Sequence, residues 1–349
     1  MQRILLAYSG SAAGSAAIPR LAQQDGTEVV TLTLDFGQDR ELAAVRAQAL
    51  ALGATRAHVI DVREEFVRSY FLPALQAGAL ADGYALARPL IARRLVDVAR
   101  MESASAVAHA AQPGSDASSA LAREIGSLGG EMLTSMLDAT PAADDPGASA
   151  RARAVHVAPA GRYRVDATAW GRRITPVGDG PLPENAFTLT RAPEEGPDHP
   201  ALIEVEFVAG VPVRTNGVEL SMTELIESLE TIAGAHGVGR SAAARAAIES
   251  PAATVLAIAH QELEARSLGD DLAGFKAQLS RTYADALLSG RWFSDLREGI
   301  DAFVRVVQSR VTGTVTLRLL KGQCVVTACV PARPASPDSA AAAARPVVA

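Results

Sequence analysis

Seven residues near the start of the chain, Ser9-Gly10-Ser11-Ala12-Ala13-Gly14-Ser15, have the types and order of a loop that holds a phosphate. Glycine lets backbone N–H groups converge on one point, and the first turn of a following helix adds partial positive charge. The run before the loop, Arg3-Ile4-Leu5-Leu6-Ala7-Tyr8, reads as a buried strand, and an alanine-rich helical pattern follows it. The loop has no lysine and no aspartate. Any anion it holds therefore meets backbone amides and hydroxyls alone.

Other residues with chemistry to offer are scattered. His109 ends the strand-like run Ala106–Ala110 and reads either as a nucleotide contact or as a hydrogen-bonded edge histidine. Asp35 ends a second strand in Leu34-Asp35-Phe36-Gly37-Gln38, where it caps the next element or touches a ligand. Asp116 precedes Ser118 and Ser119 and reads as a helix cap. Arg88 either fastens two domains through a carboxylate or reaches a phosphate. His236 and His260 lie on helical patterns and read as structural, and Trp170 and Trp292 as packing residues. Cys324 and Cys329 are too few for a zinc site. Five residues apart on a strand, they are expected on opposite faces as free thiols.

Strands and helices must alternate to place the loop and His109 together, and the first part of the chain does alternate. Arg3–Tyr8, Glu28–Gly37, Ala57–Val62 and Ala106–Ala110 read as strands, separated by helical patterns. One pattern contains Pro19, which is expected near a helix start. Alternation implies a parallel sheet covered on both faces, with ligands at the carboxyl ends of its strands. From about Gly126 to Arg164 the pattern fails, and a short helix followed by a weakly ordered connector is expected. Beyond it, Leu202–Gly217 reads as two strands joined at Ala209-Gly210. Ser221 with Glu224 opens a helix, three amphipathic helices follow, and a hairpin turns at Lys321-Gly322.

The 349 residues carry a net charge of −6 and are 48% hydrophobic and 21% charged. That is ordinary composition for two domains with at least one large core. No basic patch with interleaved aromatics is present, which argues against a nucleic-acid partner. No apolar run reaches about 18 residues and no signal-like segment opens the chain, so a cytoplasmic protein with no membrane partner is expected.

The chain resembles the argininosuccinate synthases from Met1 to about Val330. The resemblance is carried by LAYSG, LDFGQ, EEFVRSYFLPALQAGAL, LARPLIARRLV, AVAHA, HGVGR, PAATVL, WFSDLREGIDAF and VTGTVTLRLLKG, in the family's order and spacing. It implies a parallel-sheet α/β nucleotide-binding domain of the ATP-pyrophosphatase, adenine nucleotide alpha hydrolase-like type, followed by an α+β synthetase domain. The implied boundaries are 1–165 for the nucleotide-binding domain, with the connector at about 127–165, then 166–330 for the synthetase and oligomerisation domain. Residues 331–349 are left as a disordered tail. The implied reaction is ATP-dependent C–N ligation of citrulline and aspartate, with ATP and Mg2+ as cofactors and AMP and pyrophosphate as products. By the same resemblance ATP is assigned to Ala7, Tyr8, Ser9, Gly10, Ser15, Leu34, His109 and Gly114, and the amino-acid substrates to Tyr84, Asp116 and Asp166. No catalytic residue and no metal ligand is assigned.

Where the family's ATP loop reads Ser-Gly-Gly-x-Asp-Thr-Ser, this chain has Ser11 for a glycine, Ala13 for the aspartate and Gly14 for the threonine. In the segment YRVDATAWGRR, Tyr163, Asp166 and Trp170 remain, while Arg164, Thr168, Arg173 and Thr175 replace Ser, Asn, Ser and Glu. Ile248 stands where the family has a tyrosine that holds citrulline. These departures imply an impaired or altered ligase, or alternatively a non-catalytic paralogue acting as a binding or regulatory subunit. A homodimer or weaker homo-oligomer is the expected assembly.

Overall fold

The computed structural model of the protein describes residues 2–24, 26–38, 41–79, 83–111, 116–129, 133–138, 163–178, 180–243 and 246–332. The chain divides into two units. The first comprises Met1–Arg63, Ala87–Arg162 and Leu287–Phe293, and the second Glu64–Leu86, Tyr163–Ala286 and Ser294–Ala349.

The first unit is built on five parallel strands: β1 (Gln2–Ala7), β2 (Thr27–Asp35), β3 (Arg56–Asp61), β4 (Ala106–Ala111) and β5 (Leu133–Asp138). Their order is β3-β2-β1-β4-β5. Strand β5 falls where a connector was expected. It pairs with β4 from Ala106↔Leu133 to Ala111↔Asp138. Its sequence, Leu133-Thr134-Ser135-Met136-Leu137-Asp138, is neither an unbroken apolar run nor an alternating one, so periodicity does not announce it.

Helices α1 (Ala12–Ala22) and α2 (Leu42–Ala51) follow β1 and β2. Ile4, Leu6 and Tyr8 pack with Ile18, Leu21, Val45 and Ala49 in a buried cluster that also takes Ala106 and Ala108. Side chains alternate along a strand, so Val107 and His109 turn to the opposite face of the sheet. Pro19 lies inside α1 rather than near its start. Proline has no N–H, so the Ser15 carbonyl loses its intrahelical donor. The helix is kept there because Ile18, Pro19 and Leu21 are all buried.

The chain then forms α3 (Arg63–Phe66), a π-helical stretch (Val67–Phe71), α4 (Leu72–Ala77), α5 (Gly83–Met101) and α6 (Asp116–Gly129). In the second unit, β8 (Ala201–Val208), β9 (Val211–Thr215), β10 (Val218–Glu219), β13 (Gly313–Leu320) and β14 (Gln323–Pro331) form an antiparallel sheet in the order β10-β9-β8-β13-β14. Ile203, Val205 and Phe207 of β8 and Val315, Leu317 and Leu319 of β13 are buried on one face. The helices are α7 (Met222–Ala235), α8 (Pro251–Ser267), α9 (Asp270–Leu288) and α10 (Asp295–Gln308). Ser221 and Glu224 make the expected capping box on α7. His260, on α8, is buried with its Nε2 2.8 Å from Gln308 Oε1, a structural contact.

A second antiparallel sheet, in the order β11-β12-β7-β6, was not anticipated. It contains β6 (Tyr163–Thr168), β7 (Gly171–Pro176), β11 (Arg240–Ala243) and β12 (Ala246–Glu249). The two cysteines also depart from expectation. Cys324 pairs with Leu319 and Cys329 with Val315, two positions on the same face of β13. The register shifts between Thr316 and Leu317, so β14 carries one extra residue between the cysteines. That bulge turns an odd separation into an even one and puts both thiols on the same face.

Candidate functional site

The strand order of the first unit reverses between β1 and β4. In open parallel sheets this is the point where a crevice forms outside the carboxyl ends of the strands. Ala7, the last residue of β1, pairs with His109 of β4 there. The loop Ser9–Ser11 leaves β1 at this place and opens α1. Gly10 makes the turn with φ +73°, in the left-handed region. Ser11 is the N-cap, and its Oγ accepts from the Gly14 N–H at 3.2 Å. The Ser15 N–H donates to the Ser11 carbonyl at 2.9 Å. Ser9 is exposed at the mouth of the loop.

Tyr8 and Ser15 close the loop from behind. The Tyr8 hydroxyl lies 2.9 Å from Ser15 Oγ and donates to Gln48 Oε1 on α2 at 2.8 Å. Tyr8 and Ser15 are both buried. The tyrosine ring packs on Gly14, where an added Cβ would come within 3.0 Å of Tyr8 Cδ2. Gly14 is thus the residue that lets this ring lie across the first turn of α1.

At the end of β2, Leu34 is buried and its carbonyl accepts from Gln38 Nε2 at 2.7 Å. Gln38 Oε1 accepts from the Phe36 N–H, and Asp35 Oδ1 accepts from the Gly37 N–H at 2.8 Å. Asp35 therefore shapes the turn that follows its strand. Arg63 extends this end of the sheet, with Nη2 2.8 Å from Asp61 Oδ2 and Nε 3.9 Å from Asp35 Oδ2. The hydrogen bonds from Arg63 hold the Asp61 carboxyl below its usual range.

His109 is 4% exposed, and neither ring nitrogen has a hydrogen-bond partner among the described residues. Burial pushes its pKa below the ordinary histidine value. It is therefore neutral at pH 7, with one donor and one acceptor to offer. His109 stands at the reversal point of the sheet on the face opposite α1, with both ring nitrogens buried, and the loop backbone fits an anionic group. Mg2+ fits less well. Residues 9–15 include no carboxylate, and Ser11 Oγ and Ser15 Oγ are engaged within the protein.

Gly114 lies outside the described residues. Asp116 begins α6 and Tyr84 lies near the start of α5, but their side chains are also outside the description. Asp166 belongs to the second unit, on β6 directly opposite Arg173 of β7. Cross-strand partners share a face, so Arg164, Asp166, Arg173, Thr175 and Ile248 line one side of the four-stranded sheet. The other side packs Ile174 and Ala247 with Tyr163, Val165 and Phe187.

Gln48 and Glu249, which sequence reasoning passed over, and Glu124, which the sequence offers with Arg123 as a partial substitute for the family's lost Arg and Glu, hold these parts in place. Gln48 secures Tyr8. Glu249, next to Ile248, is fully buried. It accepts from the backbone N–H groups of Thr188, Leu189 and Thr190, from Thr190 Oγ1, and from Arg172 at 2.8 Å. Glu124 lies against Arg88, with Oε2 3.4 Å from Nε, and Arg88 also donates to the Leu287 and Leu288 carbonyls. Arg88 does engage a carboxylate, but the partner lies in its own unit and not across two domains.

A parallel sheet with reversed strand order and a glycine-turned loop opening a helix at the reversal defines a nucleotide-binding α/β domain. Comparison with known proteins agrees. Residues 3–118 match the argininosuccinate synthase N-terminal HUP domain, and residues 177–333 match the argininosuccinate synthase C-terminal domain. The argininosuccinate synthase of Pelotomaculum thermopropionicum is 39% identical, over 93% of this chain and 86% of its own length. Those of Chlorobium chlorochromatii and Dehalococcoides mccartyi are 37% and 36% identical, each over 92% of this chain and over 86% and 84% of their own. The chain belongs to the argininosuccinate synthase family. Among the described residues no helix is long and apolar enough to cross a membrane.

Proposed function

We propose that the protein is an adenine-nucleotide-binding member of this family whose ATP-dependent ligation of citrulline and aspartate is impaired or altered. The observation that carries this reading is the loop itself. Its backbone is set as an anion cradle at the sheet's reversal point, while residues 9–15 present no carboxylate or cation. The Ala12 and Ala13 N–H groups, which the Ser11 side chain does not cap, and the helix dipole receive the phosphates. Neutral His109 meets a polar edge of the nucleotide. In-line adenylation also needs charge to be managed around the pyrophosphate leaving group, and this loop lacks the side chains for it.

The amino-acid side supports the same reading. Ile248, on the sheet face of Asp166 and Arg173, offers no hydrogen bond to the ureido group of citrulline where the family has a tyrosine. Mg2+ then arrives as the ATP chelate. The residues proposed for the nucleotide are Ala7, Tyr8, Ser9, Gly10, Ser15, Leu34 and His109, of which Tyr8 and Ser15 act by shaping the loop.

Titration calorimetry with MgATP is expected to give a Kd weaker than about 10 μM. AMP release in the presence of citrulline and aspartate is expected to fall far below ordinary enzyme rates of about 10 per second. Tight MgATP binding with ordinary turnover of both amino acids would overturn the proposal. Nucleotide binding with no turnover on any amino-acid pair would favour the non-catalytic paralogue.

A further inference from the structure

We propose that Gln48 is a positioning residue for the anion loop, acting through the direction of a hydrogen-bond chain that runs Ser15 to Tyr8 to Gln48. This rests on reading the loop as an anion site. A tyrosine hydroxyl has one proton, and a carbonyl oxygen can only accept. With Gln48 Oε1 2.8 Å from the Tyr8 hydroxyl, that proton goes to Gln48. Tyr8 must then accept from Ser15 Oγ, 2.9 Å away.

The arrangement ties both ends of the loop to one oxygen. Tyr8 is the residue before the loop, and Ser15 is the fourth residue of α1. Ser9 to Gly14 are strung between them. The tie is needed because α1 is weakened just there. Pro19 offers no N–H to the Ser15 carbonyl, so one intrahelical bond that would otherwise hold the first turns is missing. Gly14 adds freedom of its own. Amides that must converge on an anion need their geometry held within about 0.5 Å. The Gln48 carbonyl supplies that restraint from a second helix, without touching the ligand.

If Gln48 is removed as an acceptor, the Tyr8 proton is expected to turn to Ser15 Oγ, 2.9 Å away. The bond between them then reverses. Ser15 then loses Tyr8 as the acceptor of its own proton in a fully buried position, and the first turn of α1 loses its set position. A glutamate at 48 is ionised at neutral pH and can only accept, so it preserves the original direction.

The test compares Gln48→Leu and Gln48→Glu with the unmodified protein at pH 7.5. Inorganic pyrophosphate is titrated, and amide hydrogen exchange is followed at Ala13, Gly14 and Ser15. Gln48→Leu is expected to weaken pyrophosphate at least fivefold and to speed exchange at these amides about tenfold. Gln48→Glu is expected to stay within twofold on both. If Gln48→Leu does not fold, Gln48→Asn carries the same expectation, because its shorter side chain does not reach Tyr8. Pyrophosphate binding by Gln48→Leu within twofold of the unmodified protein overturns the role of Gln48 while leaving the anion site standing. Equal losses in the leucine and glutamate variants also overturn it. An unmodified protein that binds no pyrophosphate at millimolar concentration removes the anion site, and this inference with it.

Discussion

Arg88 and Glu124 face each other across 3.4 Å, both buried, and neither carboxylate oxygen of Glu124 accepts a hydrogen bond among the described residues. Burial raises the Glu124 pKa to about 8, against the opposing pull of Arg88. The folded protein then holds a proton on this carboxyl that the unfolded chain releases at its ordinary pKa near 4.5. Folding binds more protons than unfolding between those values, so stability is greatest at the acid end and falls as pH rises towards 8. The slope is at most about 1.4 kcal/mol per pH unit. Urea denaturation from pH 5 to pH 8 is expected to show this decline. Glu124→Gln should flatten it, and an unchanged slope in that variant would refute the assignment.

Glu249 presents the opposite case, a buried carboxylate whose donors are all supplied. Three consecutive backbone N–H groups, one hydroxyl and Arg172 surround it. Its removal leaves several buried donors without an acceptor and a guanidinium without its partner. Glu249→Ala is expected to cost about 3–5 kcal/mol in denaturant midpoint measurements. A loss below about 1 kcal/mol would mean that water replaces the carboxylate easily.

Both cysteines lie on the helix-covered face of β14, and burial raises Cys324 to about 12 and Cys329 to about 11. The thiolate is the reactive form, so both are expected to react slowly with alkylating agents at pH 7.5 and fast in denaturant. Mass spectrometry after brief exposure to iodoacetamide checks this. Rapid labelling of Cys324 in the folded protein would show that β14 opens.

The elements that were legible in the sequence share strong local signals. The capping box at Ser221 and Glu224 and the turns at Ala209-Gly210 and Lys321-Gly322 were readable because short-range chemistry decides them. Strands β1 to β4 were readable as apolar runs between helical patterns. The strands β6, β7, β11 and β12 were not. They are rich in Arg, Thr and Ala, and their identity comes from cross-strand pairing, which no single stretch encodes. The face assignment of Cys324 and Cys329 failed because a bulge is set by the partner strand. Pro19 was misplaced because burial of its neighbours outweighs local propensity. The loop was legible as a loop, but its fastening by Tyr8, Ser15 and Gln48 spans 40 residues of sequence. Glu249 gave no signal beyond being an acidic residue on a regular element, and Glu124 was legible only as a substitute for a family residue, not as the buried partner of Arg88.

Restoring the carboxylate of the loop is expected to recover nucleotide binding without recovering ligation. Ala13→Asp places an oxygen ligand in the first turn of α1, where Mg2+ held by the pyrophosphate can use it. It should therefore tighten MgATP more than metal-free ATP. Adding Ser11→Gly relaxes the backbone and removes the N-cap, a change of a few tenths of a kcal/mol. Adding Gly14→Thr is different. A Cβ there already meets the Tyr8 ring at 3.0 Å, so the branched side chain must displace the ring that anchors Ser15 and Gln48. The triple variant is expected to bind MgATP less tightly than Ser11→Gly/Ala13→Asp. Neither variant should make argininosuccinate, because Ile248 cannot hydrogen-bond a ureido group and Arg164 and Arg173 remain on the sheet face beside Asp166. Each missing polar contact is worth about 1–3 kcal/mol, and the losses fall on groups that must align two reactants. Release of AMP and pyrophosphate with both amino acids is the assay. Turnover by either variant at about one per minute, a barrier near 20 kcal/mol, would mean that the amino-acid sites work in another form and that the impaired-ligase reading is wrong.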